Sequence, residues 1–173
     1  MSTIPITDLS RLCIHTITTK QWSIEEAAKN YSANGVNGIT VWRDALQGRD
    51  IKQTGRMLRY NGLSVVSLCR GGFFPSKLIN KRELALDDNR RAIEEAFQLG
   101  TKMIVLVCGA DPEQSLEDSR KQIHEGIAAI IPEAQAAGVK LAIEPLHPMY
   151  ANNRSAINTL AQANDMAEAL NSP

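Results

Sequence analysis

An α/β fold built on a parallel sheet is what this 173-residue sequence predicts. Short apolar runs alternate with amphipathic helical patterns five times over. Strand starts recur at intervals of roughly 25 to 40 residues, the size of a βα unit with a variable loop. The run Met103-Ile104-Val105-Leu106-Val107-Cys108 is apolar throughout, as expected of a strand covered on both faces. Such alternation leaves two architectures, the open doubly wound sheet and the closed eight-stranded barrel. The first strand–helix junction, residues 15–23, contains no glycine, which argues against a dinucleotide site there.

Taken in order, residues 12–17 read as the first strand. Ser23 and Glu26 then form a capping box, with Ile24, Ala27, Ala28 and Tyr31 on one helical face and Gly35 placed for a left-handed stop. Residues 38–42 give a second strand. A helix of about three turns follows, with Ile51, Leu58 and Met57 inward and Asn61-Gly62 closing it. The third strand, 63–69, runs into Arg70-Gly71-Gly72, where paired glycines predict a sharp turn or a close approach. Residues 88–99 form the third helix, burying Ala92, Ile93, Ala96 and Phe97. The fourth strand is 103–108. The next helix, 115–137, turns Ile123, Ile127, Ile130 and Ala134 inward, and Pro132 is expected to kink or divide it. Residues 139–143 are the fifth strand. A last helix, 155–170, carries Ile157, Leu160, Ala161 and Ala167 on one side.

Composition narrows the function classes. Nineteen basic residues balance nineteen acidic ones, so no electrostatic stripe invites nucleic acid or a membrane surface. No apolar run reaches the length of a membrane span, and the N-terminus lacks a signal-peptide pattern. Cys13, Cys69 and Cys108 are far apart, each within an apolar run, and read as small buried hydrophobes of a reducing cytoplasm. The expected location is therefore cytoplasmic.

The candidate site gathers around residues 140–155. Glu144 closes the fifth strand, and a carboxylate ending so apolar a run is costly to bury unless it meets a cation or donors. The alternative is a loop acid paired with a neighbour such as Arg154. His147, Tyr150 and Arg154 follow in the loop. His147 is suited to bind substrate oxygens, shuttle a proton or touch a metal, or else is a packed or solvated loop residue. Arg70, beside the paired glycines, and Arg43, at the end of strand two, are suited to hold an anionic group by bidentate hydrogen bonds; surface salt bridges are the plainer alternative. Arg154 either reaches the site or lies near the last helix start, where its charge opposes the dipole. His15 is read as a satisfied core histidine before a site residue, and Trp22 and Trp42 as packing.

The segments WRDAL, SLCRGGFFP, DNRRAIEEAFQLG and LAIEPLHPMYANNRSAINTLAQAND resemble the sugar phosphate isomerase/epimerase family of xylose isomerase-like barrels. The resemblance implies a (β/α)₈ TIM-barrel type with its site at the carboxyl ends of the strands. Complete barrels need about 250 residues, so residues 1–173 are expected to form one domain that stops after about five βα units. The resemblance further implies a divalent metal ion (Mn, Mg, Co or Zn) held by Glu144 together with ligands from strands six, seven and eight, and therefore not by these residues alone. It implies a small sugar or hydroxy-carbonyl substrate and proton transfer next to a carbonyl through an enediolate, with Glu144 catalytic. The same residues suit a lyase, such as an inosose or 3-dehydroshikimate dehydratase. A reading from another class is a non-catalytic partial barrel whose exposed strand edges pair with a second copy, a homo-oligomer, or with the rest of the barrel.

Overall fold

The computed structural model describes residues 8–172; the opening residues examined for a signal peptide lie mostly outside that range. Five strands form one parallel sheet in the order β1-β2-β3-β4-β5: β1 Cys13–His15, β2 Gly38–Trp42, β3 Ser64–Gly72, β4 Met103–Val107 and β5 Lys140–Ile143. The helices are α1 Ile24–Ala33, α2 Ile51–Tyr60, α3 Ile79–Leu99, α4 Leu116–Ala136 and α5 Leu160–Leu170. Strictly sequential strand order, with right-handed crossovers, puts every helix on the same side of the sheet. A doubly wound sheet reverses its order part-way. The arrangement is thus an arc of a barrel, with β1 and β5 at its edges. Among the described residues no helix is long and apolar enough to cross a membrane.

Register then sorts the side chains. Ile14, Ile39, Leu68 and Ile104 share one face with Val41, Leu106, Leu141 and Ile143, because successive strand residues point to opposite sides. Ile39, Val41, Leu68, Ile104 and Leu106 are all buried under the helices. They meet Ile24, Ala27 and Ala28 of α1, Leu58 of α2, Ala92, Ile93 and Ala96 of α3, and Ile123, Ile127 and Ile130 of α4 in one core. The opposite, concave face is mixed: Trp42 and Val105 stand on it in register with Cys69, beside a polar row. Cys13, Thr40 and Ser67 form a row there, with Sγ–Oγ1 at 3.5 Å and Oγ1–Oγ at 2.8 Å.

The caps follow the sequence closely. Ser23 and Glu26 make the expected capping box on α1, and Asp50, Ser115 and Thr159 cap α2, α4 and α5 through their side chains. Gly100 ends α3 in the left-handed conformation. Helix α4 runs unbroken through Pro132. The carbonyl four residues earlier belongs to Ala128 on the exposed side, where it is open to solvent and loses little by lacking its helical donor.

Three expectations are corrected. Helix α3 begins nine residues before 88, and Phe97 is 60% exposed, with Asn89, Ala92, Ile93, Ala96 and Leu99 forming the buried stripe. Helix α5 begins at Leu160 rather than 155, because Gly109 and Ser155 form an isolated parallel bridge that keeps the preceding segment extended. Ile157 is fully buried but lies outside the helix, while Leu160 is 73% exposed and Ala163 faces the core. Finally, β3 is longer than expected and is irregular in two places, skipping Val66 against β2 and Arg70 against β4.

The second irregularity is held by Asn89. Its Oδ1 accepts from the Gly72 N–H at 2.7 Å, and its Nδ2 donates to the Gly72 carbonyl at 2.8 Å. No side chain fits at Gly72, which sits at φ +105 with the Val107 carbonyl oxygen where a Cβ would stand. Asn89→Leu keeps the branching at Cγ, adds bulk and orphans two buried backbone groups. It is expected to lower stability by about 2–4 kcal/mol, read as a fall in the urea midpoint.

Candidate functional site

The carboxyl ends of the strands converge on the concave side of the sheet. His15, Trp42 and Cys69 stand in neighbouring strands there: Trp42 pairs in register with Cys69, and the indole N–H of Trp42 donates to His15 Nδ1 at 3.3 Å. His15 is exposed, so the expectation of a core histidine is corrected: it belongs to the rim of the concave face. Trp42, Arg43, Asp44, Cys69, Arg70 and Phe73 line a cleft of about 430 Å³ at the ends of β2 and β3.

Glu144 extends the ladder beyond β5, its N–H donating to the Leu106 carbonyl at 3.1 Å. Alternation from Lys140 and Ala142 turns its side chain to the concave face. Two buried thiols, Cys69 on the concave face and Cys108 on the helix side, both feel the charge at this strand end. Cys69 and Cys108 are both pushed up to about 12, first by burial and next by the negative charge of Glu144. The carboxylate therefore lies near the ends of β3 and β4 as well as its own strand. Half-buried, it makes no hydrogen bond or ion pair among the described residues. The alternative of a loop acid paired with Arg154 is not what the structure contains.

Pro145 stops the strand, and a 3-10 turn, Pro148–Tyr150, follows. His147 caps it, its Nδ1 accepting from the Met149 N–H at 3.2 Å, which leaves Nε2 as the ring's N–H donor on an exposed side chain. Arg154 lies five residues before the Thr159 cap, not at a helix start. Its guanidinium stacks on the Tyr150 ring at 5.3 Å. Arg70 is aimed by the bulge that skips it, a common way to redirect a side chain beside a site. It stacks on the Phe73 ring at 4.1 Å.

Arg43 is committed elsewhere. Its Nε and Nη2 bond Glu95 at 2.6 and 3.1 Å, while Nη1 and Nη2 bond Asp88 at 2.7 and 3.1 Å. Burial works against its charge, but the hydrogen bonds it donates to Glu95 and Asp88 outweigh that and raise its pKa. Four donated bonds to two carboxylates of α3 leave it a structural role, tying the end of β2 to that helix. The anion-holding expectation is corrected for this residue. Glu144, Arg70, His147 and Arg154 remain on the strand-end side. The aromatic supports Phe73 and Tyr150 were not legible as such, since nothing in the spacing distinguishes a stacking ring from a packing one.

The metal implied by the resemblance does not fit the donors present. A hard divalent ion takes about six ligands, and Glu144 offers one carboxylate. Cys69 beside it stays a thiol, and among the described residues no group of three His, Cys, Asp or Glu could hold a metal.

A family model for xylose isomerase-like TIM barrels matches residues 25–173. The chain belongs to the xylose isomerase-like TIM barrel family. A crystal structure of a protein from Sinorhizobium meliloti 1021 is 44% identical, with a TM-score of 0.89 over 94% of this chain and 60% of that one. Two more distant structures share the barrel fold. D-psicose 3-epimerase in the presence of D-fructose gives a TM-score of 0.78 at 16% identity, over 92% of this chain and 60% of that one. The IolI protein with a bound zinc atom gives 0.74 at 19% identity, over 92% and 58%. No curated protein matches the chain. The chain spans about 60% of the length of these barrel structures.

The ion pairs of the rim predict a pH response. Asp88 is held below the usual carboxylate range, chiefly by hydrogen bonding from Arg43. A depressed folded-state pKa adds stability above the unfolded value, about 3.9 for Asp, and that stability is lost as pH falls through the folded value. Asp88→Asn is therefore expected to destabilise by roughly 1 kcal/mol at neutral pH, a figure reduced for partial exposure. The gap to the unaltered protein should close progressively below pH 4 in urea titrations.

Proposed function

We propose that this chain supplies five βα units of a sugar isomerase or epimerase, which moves a proton at the carbon next to the carbonyl of a small hydroxy-carbonyl compound. One observation carries the reading: Glu144 presents an unpaired carboxylate at the carboxyl end of β5, on the concave face. An acid there has a free lone pair for a carbon-bound proton and no competing partner, which geometry requires of a general base before its pKa matters.

The proton leaves the carbon to Glu144, and its bonding electrons move into the neighbouring C–C bond and onto the carbonyl oxygen as an enediolate. Return of the proton from Glu144 to the adjacent carbon gives an isomer; protonation of the same carbon on its opposite face, by a second acid facing Glu144 across the substrate, gives an epimer. His147, with its Nε2–H outward, is placed to hydrogen-bond a substrate hydroxyl or the developing oxyanion. Trp42 offers an apolar wall near the cleft. The metal of the family enters this reading only through donors beyond those described, to which the chain would add Glu144. Epimerase activity in a distant structural neighbour supports the reaction class, and the family match supports the scaffold.

The test is solvent exchange. The full-length gene product incubated in deuterated buffer with a panel of ketoses and aldoses should incorporate deuterium next to the carbonyl, read by proton NMR. Glu144→Gln should lower that rate by 10³-fold or more, in the range of a lost proton-transfer group, with a smaller change in KM. Loss of water from the substrate instead would transfer the assignment to a lyase, and undiminished exchange in the variant would remove Glu144 from the chemistry.

A further inference from the structure

The three arginines near the mouth are not equivalent, and the difference bears on the substrate. Arg43 spends four hydrogen bonds on Asp88 and Glu95. Arg70 and Arg154 have no carboxylate partner and donate no side-chain hydrogen bond among the described residues. Each instead lies on an aromatic ring, Arg70 on Phe73 and Arg154 on Tyr150. Stacking occupies the flat face of a guanidinium and leaves its N–H edge for a planar or tetrahedral oxyanion.

The backbone brings the two platforms together. Gly109 receives them on either side. A Cβ there would stand 2.7 Å from the Phe73 Cα, while its N–H donates to the Arg154 carbonyl at 3.0 Å. Its carbonyl in turn accepts from the Ala156 N–H at 2.9 Å. Phe73 is also one of two non-glycine residues with positive φ among those described, at +56, a strained conformation that concentrates at ligand-holding positions. The two charges feel each other as well. Arg70 is shifted downward, first by its burial and then by the positive charge of Arg154. Asp88, which lines the same cleft, offsets part of that repulsion but is itself bonded to Arg43, and an anion between the two guanidinia relieves the rest.

We propose that Arg70 and Arg154, supported on Phe73 and Tyr150, form a two-guanidinium clamp for one oxyanion of the substrate, so that the preferred substrates are sugars carrying a phosphate ester or a carboxylate. This deepens the isomerase reading and rests on it for the word substrate, but the clamp itself is a binding claim. Glu144 repels the same group, so the anionic end sits on the β3 side of the mouth and the carbonyl end faces β5.

Inorganic phosphate is the probe, titrated by calorimetry into the chain at ionic strength held constant with chloride. Arg70→Met or Arg154→Met should each weaken phosphate binding at least tenfold, and Arg70→Lys several-fold, because lysine keeps the charge and loses the fork. Arg56→Met on the exposed side of α2 should leave binding unchanged, and circular dichroism checks that each variant is folded. In competition, a hexose phosphate and a hexuronate should displace phosphate, the stronger naming the natural source of the oxyanion, whereas a neutral hexose should not. Phosphate binding indifferent to both methionine variants, no measurable phosphate binding, or equal competition by the neutral sugar overturns the clamp. Since no turnover is needed, exchange that fails while phosphate binding depends on both arginines condemns the isomerase reading alone. Exchange lost in Glu144→Gln with arginine-independent binding condemns the clamp alone.

Discussion

Side-chain alternation along parallel strands is the constraint from which the rest of this structure follows. Each strand must send every second residue to the helices and the remainder to the concave face. The helix side takes Ile39, Val41, Leu68, Ile104 and Leu106, all fully or nearly fully buried. The other side is mixed: Trp42, Met103 and Val105 share it with Cys13, Thr40, Ser67, Cys69 and finally Glu144. The hydrophobic effect thus acts on the site indirectly. By anchoring Leu141 and Ile143 against α4 and α5, it obliges the next acidic residue to face away from the core. A one-residue slip of β5 would turn Glu144 toward the helices, so the site depends on the same register that builds the core.

A second constraint operates at β3. A regular strand there would point Arg70 along a fixed alternation, and the sheet would have no room for Asn89. The bulge at Arg70 and the glycines after it bring the backbone against the Val107 carbonyl, and Asn89 pairs with both polar groups of Gly72. The result aims Arg70 over Phe73. Nearby, Arg43 carries the rim's structural load through α3, which frees Arg70 from ion pairing. Residues of one chemical type within a few ångströms of each other therefore hold different tasks, set by which carboxylates α3 happens to present.

Much of the scaffold was legible because the signals are local. The capping box at Ser23, the Ile24–Tyr31 stripe and the apolar run of β4 each encode their element within a few residues. Features that depend on contacts across the chain were not legible. The early start of α3 and the exposure of Phe97 depend on how α2 and α3 pack. The extended segment before α5 depends on a bridge between Gly109 and Ser155, 46 residues apart. The position of Glu144 at the end of β5 was readable from the apolar run before it, and alternation from the β5 register turns it to the concave face. Arg43 and Arg70 looked alike in sequence, each an arginine following a strand, and only the carboxylates of α3 distinguish them.

The central claim is that Glu144 reaches the reacting carbon from the concave face. A crystal structure of the full-length protein with a bound keto-sugar or hydroxamate analogue tests it most directly. The account predicts a Glu144 carboxylate oxygen within about 3.5 Å of the carbon next to the carbonyl. A ligand seated elsewhere, or a Glu144 side chain directed toward α4 or α5 with the ligand in place, would contradict it.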